Sequence, residues 1–245
     1  MERDKTENRV PMKLSNIDNA EIAKFAAMAE DWWDRNGVLK ALHDINPVRM
    51  EYICSRSSIK GKRVLDVGCG GGLLTEAMAA AGAMVTGIDM AEPSLKVAQV
   101  HMEQSGVHVD YRQVTAERLA QTHAGRFHIV TCMELVEHVP DPASVVQACT
   151  LLVKPGGDLF FGTINRTWLS LLLVILAAEY IFRIVRKGTH TYRKLVRPEE
   201  MKKWGKAAGL RLLDVSGMRY IPFVGYATLC RSTSMNYMMH FTKRG

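Results

Sequence analysis

Arg63-Val-Leu-Asp-Val-Gly-Cys-Gly-Gly-Gly72 is the segment that indicates the fold of this chain most clearly. Val64, Leu65 and Val67 are β-formers in a short apolar run, and the glycines after it lead into a helix-like segment from Leu73 to Ala81. The predicted order is therefore strand, tight turn and helix. Glycines in such a turn let the backbone approach a ligand where a Cβ would collide.

A second apolar run, Met84-Val-Thr-Gly-Ile-Asp89, ends in a carboxylate. A carboxylate at the end of the second strand can accept hydrogen bonds from both hydroxyls of a ribose. Gly68, Gly70 and Asp89 are therefore predicted to bind a nucleoside cofactor.

The spacing of the glycines indicates which nucleoside it is. The dinucleotide fingerprint G-x-G-x-x-G needs a third glycine at position 73, where this chain has Leu73, and this argues against NAD. The run G-x-G-x-G preceded by Asp66 resembles instead the first motif of the class I S-adenosylmethionine-dependent methyltransferases.

Strand and helix patterns alternate along the chain, which is typical of a doubly wound, Rossmann-like parallel sheet. We predict strands at 63–67, 84–89, 107–113, 127–133 and 158–164, and helices at 73–82, 92–104 and 141–153. Residues 1–245 are predicted to form a single methyltransferase domain. Its parts are a helical cap (1–60), a cofactor-binding core (61–164), an apolar and basic insertion after the fifth strand (165–197), and a C-terminal helix with strands (198–245). Met235 to Met239 are predicted either to join those strands or to line an acceptor pocket.

The cap is predicted to contain an amphipathic helix from Ala20 to Asn36 and a second helix that begins near Pro47. The aromatic side chains of the first helix are Phe25, Trp32 and Trp33. They either attract a sulfonium through cation–π contacts or pack the cap against the sheet. Arg49 is predicted either to pair with the carboxylate of the cofactor's methionine moiety or to lie on the surface.

A second cluster of reactive side chains, Thr131-Cys-Met-Glu-Leu-Val-Glu-His-Val139, follows the fourth strand. Glu134, Glu137 and His138 stand at i, i+3 and i+4, so a helical turn would place all three on one face, toward the cofactor. They are a candidate metal site for Mg²⁺, zinc or manganese. Alternatively, His138 is a general base oriented by a glutamate such as Glu137, or the segment is a solvated loop.

The segment 168–187 joins an apolar run to a basic cluster. The run from Trp168 to Ala178 is too short to span a bilayer, which needs about 20 apolar residues. We expect a helix that lies in the interface of an anionic membrane, with a buried core helix or a dimer contact as the alternative.

Several motifs together resemble the family of ubiquinone-biosynthesis O-methyltransferases, over the range from Asn19 to His240. These motifs are Gly-Cys-Gly-Gly-Gly, Gly-Ile-Asp-Met, Thr-Cys-Met-Glu-x-x-Glu-His-Val-Pro-Asp-Pro, Val-Lys-Pro-Gly-Gly and Ala-Glu-Tyr-Ile-x-Arg-x-Val-x-Lys-Gly-Thr-His. The resemblance implies methylation of ring hydroxyls on a polyprenyl dihydroxybenzene and on demethylubiquinol. The chain departs from better-known members at Ile164 to Leu176 and after Pro222.

The same resemblance implies the site residues and the partners. The implied cofactor contacts are Arg49, Gly68, Asp89 and Met133. The eukaryotic branch of the family implies a metal, with Mg²⁺ as the candidate, at Glu134, Glu137 and His138. The implied partners are a polyprenyl phenol or quinol substrate, membrane lipid and a ubiquinone-biosynthesis complex.

Composition agrees with a cytoplasmic enzyme, and the lipid substrate that the resemblance implies predicts a peripheral position on the inner face of the membrane. The five cysteines show no C-x-x-C pair, and the polar N-terminus shows no signal segment. The net charge of +7 permits a nucleic-acid methyltransferase, but the Asn/Asp-Pro-Pro-Tyr-like motif of that class is not matched by Cys132-Met-Glu-Leu135, so we expect no nucleic-acid partner. The remaining alternatives are an O-methyltransferase for another catechol or phenol and a non-catalytic, membrane-associated cofactor-binding protein.

Overall fold

A computed structural model describes residues 15–170 and 194–245 of the chain. Eight strands lie within these ranges: β1 Arg63–Val67, β2 Met84–Asp89, β3 Val109–Gln113, β4 Phe127–Met133, β5 Val153–Ile164, β6 Leu210–Ile221, β7 Tyr226–Cys230 and β8 Asn236–Lys243. They form one sheet in the order β3-β2-β1-β4-β5-β8-β6-β7. The first five strands are parallel, whereas β8 is antiparallel to both β5 and β6, and β7 is antiparallel to β6. The predicted doubly wound sheet is confirmed.

Helices cover both faces of this sheet. Those in the described ranges are α1 Asn19–Ala27, α2 Lys40–Cys54, α3 Leu73–Ala80, α4 Glu92–Ser105, α5 Ala116–His123, α6 Pro142–Leu152 and α7 Pro198–Ala207. Two hydrophobic cores result, one that includes side chains of α2 and α3 and one that includes side chains of α5, α6 and α7. Successive strand residues point to opposite faces, so Val64 packs in the first core and Leu65 in the second.

The strand order places the site. Strand order reverses between β1 and β4, and in open α/β sheets ligands bind beyond the carboxyl ends of the strands at such a point. Gly68 and Met133 lie at the carboxyl ends of β1 and β4, and Asp89 ends the neighbouring β2.

The cap differs from its prediction in two ways. The segment from Ala20 to Asn36 is not one helix, because α1 ends at Ala27 and a 3₁₀ turn follows at Ala29–Asp31. The second helix begins at Lys40 and contains Pro47 in its interior. A proline inside a helix has no N–H for one helical hydrogen bond, and its ring crowds the preceding turn. Burial of one face of α2 offsets this loss of stability.

Two further elements depart from the predicted boundaries. Helix α5 was not predicted, although Thr115 caps it by accepting a hydrogen bond from the Arg118 N–H at 3.3 Å. Strand β5 begins at Val153, earlier than predicted, because Pro155-Gly-Gly157 forms an irregularity inside the strand and does not end it. The register shifts there, and Gly156 adopts a φ of 71°.

The predicted insertion falls mostly outside the described residues. Of the segment 168–187, only Trp168 to Ser170 are described, so its predicted membrane contact stays a prediction. No helix in the described ranges is long and apolar enough to cross a membrane.

Of the two predictions for Met235 to Met239, the strand is correct, since Asn236–Lys243 is β8 and both Met238 and Met239 are buried.

Candidate functional site

The glycine turn after β1 adopts a conformation that other residues rarely reach. Gly68, Gly70 and Gly72 all have positive φ angles, of 77°, 53° and 92°. Asp89 fixes the turn, because its Oδ2 accepts a hydrogen bond from the Gly70 N–H at 2.9 Å and its Oδ1 accepts one from the Ala91 N–H at 2.8 Å. Burial raises the pKa of Asp89, against the opposing effect of these backbone hydrogen bonds. The carboxylate therefore joins the ends of the first two strands.

Asp66, which precedes the glycines, anchors the strand that carries them. It is buried, and its two oxygens accept hydrogen bonds from the hydroxyls of Thr75 and Thr131, each at 2.7 Å. Burial raises its pKa, and the two hydroxyls oppose that rise. Because Thr75 lies on α3 and Thr131 on β4, Asp66 holds β1 to both neighbours.

A cavity of about 650 Å³ lies between the glycine turn and the cap. Its lining combines the predicted cofactor contacts with apolar cap residues. The predicted contacts in the lining are Arg49, Gly68, Gly70, Asp89 and Met133, and the apolar cap residues include Phe25, Met28, Val38, Leu39 and Leu42. The volume and the mixture of apolar walls with few polar groups are typical of a small-molecule site.

Trp32 covers the glycine turn from the cap side. A Cβ on Gly70 would lie 2.1 Å from the indole Cζ2, and one on Gly71 would lie 2.2 Å from Cγ. The indole is buried, and its Nε1 has no hydrogen-bond partner among the described residues. Trp32 therefore lines the cavity, and its close packing on the turn requires glycine at positions 70 and 71.

Gly70→Ala is expected to weaken cofactor binding by at least about tenfold, because the new methyl group must displace Trp32 from the cavity wall. Gly106→Ala is the control for backbone strain alone. Gly106 also has a positive φ, of 69°, but no atom lies within 4 Å of its ideal Cβ. Gly106→Ala should cost only about 1 kcal/mol of stability, with affinity unchanged. Calorimetric titration with S-adenosylhomocysteine checks both variants, and equal affinities for the two would contradict this role of Trp32.

Trp33, the neighbouring residue, fits the packing alternative. Its indole stacks on the His101 ring with a centroid distance of 3.3 Å, and its Nε1 donates to the Gly71 carbonyl at 3.0 Å. His101 is in turn held by the Glu76 carboxylate at 2.8 Å. These contacts fasten the cap to α4 and to the glycine turn.

Arg49 meets Glu134 at the cavity wall. Their ion pair measures 3.0 Å from Nη2 to Oε1, and the Arg49 side chain is almost fully buried. Glu134 has a φ of 56°, the only positive φ among the described non-glycine residues, and its N–H donates to the Gly162 carbonyl at 2.8 Å. A left-handed backbone at such a residue costs energy and marks functional sites. The predicted pairing of Arg49 with the cofactor carboxylate stays a prediction.

His138 is oriented by a carboxylate that sequence reasoning missed. Its Nδ1 lies 3.0 Å from Oε2 of Glu21 on α1, and its ring meets Phe25 edge-on at 5.0 Å. Burial lowers the pKa of His138, but the hydrogen bond to Glu21 and the charges of Glu137, Glu21 and Glu134 outweigh it, so the pKa is raised. Burial raises the pKa of Glu21, yet its bonds to His138, Lys24 and Lys194 lower the net value.

Glu137 lies behind His138, in the 3₁₀ turn Val136–His138. It is 4% exposed, and neither carboxylate oxygen has a hydrogen-bond partner among the described residues. Burial and the charge of Glu134 raise its pKa to about 7. Glu137 is not among the residues that line the cavity, and its charge raises the pKa of His138.

The predicted metal ligands are not assembled as a set. Glu134 is paired with Arg49, and the Nδ1 of His138 is paired with Glu21. In residues 15–170 and 194–245, no group of three or more His, Cys, Asp or Glu side chains is placed to hold a metal ion. These positions do not fit a metal as they stand, and the assignment of Glu134, Glu137 and His138 to one stays a prediction.

Comparison with known proteins decides the family. A family profile described as a methyltransferase domain matches residues 26–215. The ubiquinone biosynthesis O-methyltransferase of Pseudomonas aeruginosa is 52% identical over 231 residues, which cover 94% of this chain and 99% of that protein. The protein of the same name from Pseudomonas entomophila is 53% identical over 226 residues, covering 92% and 97%. The chain belongs to the ubiquinone biosynthesis O-methyltransferase family.

Membership of this family confirms the predicted enzyme class and the predicted methyl donor: this is an S-adenosylmethionine-dependent O-methyltransferase. The glycine turn and Asp89 fit that donor, because they offer a close backbone approach and a carboxylate that can accept the ribose hydroxyls.

Solved structures agree on the fold. Magnesium protoporphyrin IX methyltransferase from Synechocystis, solved with bound SAH, matches with a TM-score of 0.69 at 18% identity and covers 92% of this chain and 99% of its own. The [4+2]-cyclase SpnF matches with a TM-score of 0.60 at 18% identity over 80% of each chain. One fold thus carries different reactions, and the reaction must be argued from the site.

Proposed function

We propose that this enzyme methylates ring hydroxyls of a polyprenyl-substituted dihydroxybenzene and of demethylubiquinol. The observation that carries the proposal is the His138–Glu21 pair, which lies on the wall of the same cavity as Asp89 and the glycine turn. A proton acceptor and a cofactor site thus share one enclosed space. The relatives at 52–53% identity are named for ubiquinone biosynthesis, which supports this class of acceptor.

The donor supplies an electrophilic methyl group on a sulfonium. In our proposal Asp89 accepts the ribose hydroxyls, the glycine turn permits close approach, and Arg49 and Met133 complete the contacts. The cap residues Phe25, Met28 and Leu42 exclude water, and holding the phenol oxygen in line with the methyl group then supplies most of the acceleration.

His138 is proposed as the base that receives the phenol proton. A neutral imidazole that donates its Nδ1–H to Glu21 leaves the Nε2 lone pair free to accept a proton. The Glu21 carboxylate then stabilises the imidazolium that forms, as in a nucleophile–base–acid triad. The nearby charge of Glu137 also raises the pKa of His138.

Glu21→Gln is expected to move the acidic limb of the pH–rate profile to lower pH by roughly one pH unit. Only the neutral imidazole can accept a proton, and its raised pKa keeps His138 protonated up to a higher pH than usual. The amide removes the charge that raises this pKa, so the active form persists to lower pH. Glu30→Gln, an exposed acid in the same cap, is the matched control. An unchanged profile in Glu21→Gln would contradict the pairing.

A peripheral position on the cytoplasmic face of the membrane is part of the proposal. A polyprenyl tail does not leave the bilayer, so the enzyme must come to it. The apolar and basic sequence of 168–187 supports such a contact. A ubiquinone-biosynthesis complex is the proposed protein partner, and no nucleic acid is expected.

Acceptor competition tests the proposal. The enzyme is given labelled S-adenosylmethionine with short-tail demethylubiquinol, a tailless catechol with the same ring substituents, or RNA, each with chelator and with added Mg²⁺. We expect transfer to the quinol with the highest kcat/KM. Preference for the tailless catechol would indicate another phenol as substrate, and transfer to RNA would overturn the proposal. Loss of transfer with chelator and recovery with Mg²⁺ would assign the metal.

A further inference from the structure

The hairpin between β6 and β7 ends in an exposed apolar tip, Ile221-Pro-Phe-Val-Gly-Tyr226, which we call the hairpin tip. Phe223 is 92% exposed and Val224 is 72% exposed, and Ile221 and Tyr226 are also exposed. Four of the nine strongly exposed large apolar residues in the described chain thus stand within six consecutive positions. Clusters of this kind on a soluble fold mark surfaces of interaction.

The hairpin tip projects beyond the carboxyl ends of the strands, which is also where the candidate site lies. Strands β5 and β6 run in the same direction, because both are antiparallel to β8. Strand β6 pairs with β8 as far as Ser216 and then continues to Ile221 paired with β7 alone. At about 3.3 Å per residue, five further residues extend roughly 16 Å. The tip therefore stands beyond the carboxyl ends of the strands, on the side of the cavity.

The tip is held in place by the cap helix α2. The Tyr220 hydroxyl donates to Oδ2 of Asp44 at 2.7 Å, and Lys40 pairs with the same carboxylate. A Cβ on Gly225 would lie 3.1 Å from the Lys40 Nζ, so the tip packs closely against the first turn of α2. Leu39 and Leu42, beside these anchors, line the cavity. A surface that the tip contacts is therefore close to the cavity.

Charge around the tip indicates what it contacts. The tip has no charged side chain, exposed Arg219 precedes it, and the sequence from Val215 to the C-terminus contains no Asp or Glu. Apolar and aromatic side chains flanked by cations are typical of segments that enter the surface of an anionic bilayer. Trp168 and Leu169 follow the carboxyl end of β5, on the same side of the sheet as the tip, and they are 77% and 48% exposed.

We propose that the hairpin tip inserts into the surface of an anionic membrane and holds the cavity entrance against it. The inference rests on the proposed function, since a substrate with a polyprenyl tail gives the entrance a reason to face lipid. A second copy of the chain is a poorer occupant, because six residues offer little of the roughly 800 Å² per partner that a specific interface buries. This membrane contact of the hairpin tip is separate from the one proposed for the segment 168–187.

Binding of the full chain to vesicles tests the inference. Phe223→Glu with Val224→Glu should weaken binding to phosphatidylglycerol–phosphatidylcholine vesicles at least about tenfold, because charges replace two exposed apolar side chains that the bilayer would bury. The matched control is Met84→Glu, a 57% exposed residue that begins β2 at the opposite edge of the sheet, and its binding should equal that of the wild type. The proposal would be overturned if the tip variant bound vesicles as tightly as the wild type, or if Met84→Glu lost as much binding as the tip variant.

Two further measurements separate the other outcomes. A tryptophan introduced as Phe223→Trp should gain fluorescence that brominated lipids quench, whereas no added quenching would show that the tip stays in water. If sedimentation without lipid shows a wild-type dimer that the tip variant dissociates, a second copy covers the tip and the proposal fails. Tip-dependent vesicle binding in an enzyme that methylates no quinol would refute the proposed function and leave the membrane contact standing.

Discussion

His138→Ala is expected to lower turnover by about 10²–10⁴-fold, the range for loss of a positioned general base, while cofactor affinity stays close to that of the wild type. His138 is the histidine of the cavity wall, and its Nδ1 is already engaged by Glu21 at 3.0 Å. The predicted cofactor contacts at the carboxyl ends of β1 and β2 are separate from it. Single-turnover methyl transfer measures the first quantity, and calorimetric titration with S-adenosylhomocysteine measures the second.

A remote histidine provides the control for that experiment. His108 is exposed and precedes β3, at the edge of the sheet away from the cavity, so His108→Ala should retain wild-type turnover. Glu137→Ala should give a turnover between the two, because the charge of Glu137 raises the pKa of His138 and a less basic imidazole accepts the phenol proton more slowly. Full turnover in His138→Ala would remove both the base and the metal assignment at this position.

Asp89→Ala is expected to weaken cofactor binding by about a hundredfold or more, as the loss of two hydrogen bonds to a charged group predicts. The carboxylate also accepts the N–H groups of Gly70 and Ala91, so its removal loosens the glycine turn as well. Turnover at saturating cofactor should fall much less than affinity does. Titration with S-adenosylhomocysteine, followed by methyl transfer over a range of donor concentrations, checks both expectations.

Asp110→Ala is the matched control, since Asp110 lies on the adjacent strand β3 and its side chain is 44% exposed in a surface pair with Arg112. Its cofactor affinity should be unchanged. If Asp89→Ala bound the cofactor as tightly as Asp110→Ala does, the ribose would have to be held elsewhere in the cavity.

The parallel core could be predicted from sequence because its signals are local. The strands at 63–67, 84–89 and 127–133 match β1, β2 and β4 residue for residue, since each is a short apolar run with a clear end. The position of Asp89 beside the glycine turn could be predicted for the same reason, and its role as a cofactor ligand stays a prediction. Helix α5 was missed because it has only eight residues, although Ala116, Leu119 and Ala120 are buried at helical spacing behind the Thr115 cap.

The contacts that organise the site are not local, and they could not be predicted. Glu21 and His138 are 117 residues apart, and Arg49 and Glu134 are 85 apart. Spacing placed Glu134, Glu137 and His138 on one helical face, but the segment forms a 3₁₀ turn after a left-handed residue. Glu134 then pairs with Arg49 and His138 with Glu21, while Glu137 is buried without a hydrogen-bond partner among the described residues. The one signal for Glu21 was a carboxylate four residues before Phe25, on the buried side of an amphipathic helix.

The proposed reaction can be tested at its chemical step by methyl transfer to oxygen in a single turnover. Enzyme loaded with methyl-labelled S-adenosylmethionine is mixed with short-tail demethylubiquinol, and the product is identified by mass spectrometry. We expect one labelled methyl ether on the ring in the wild type and almost none in His138→Ala, with the donor still bound. Label on a ring carbon, or a bound donor that no quinol consumes, would contradict the proposed reaction.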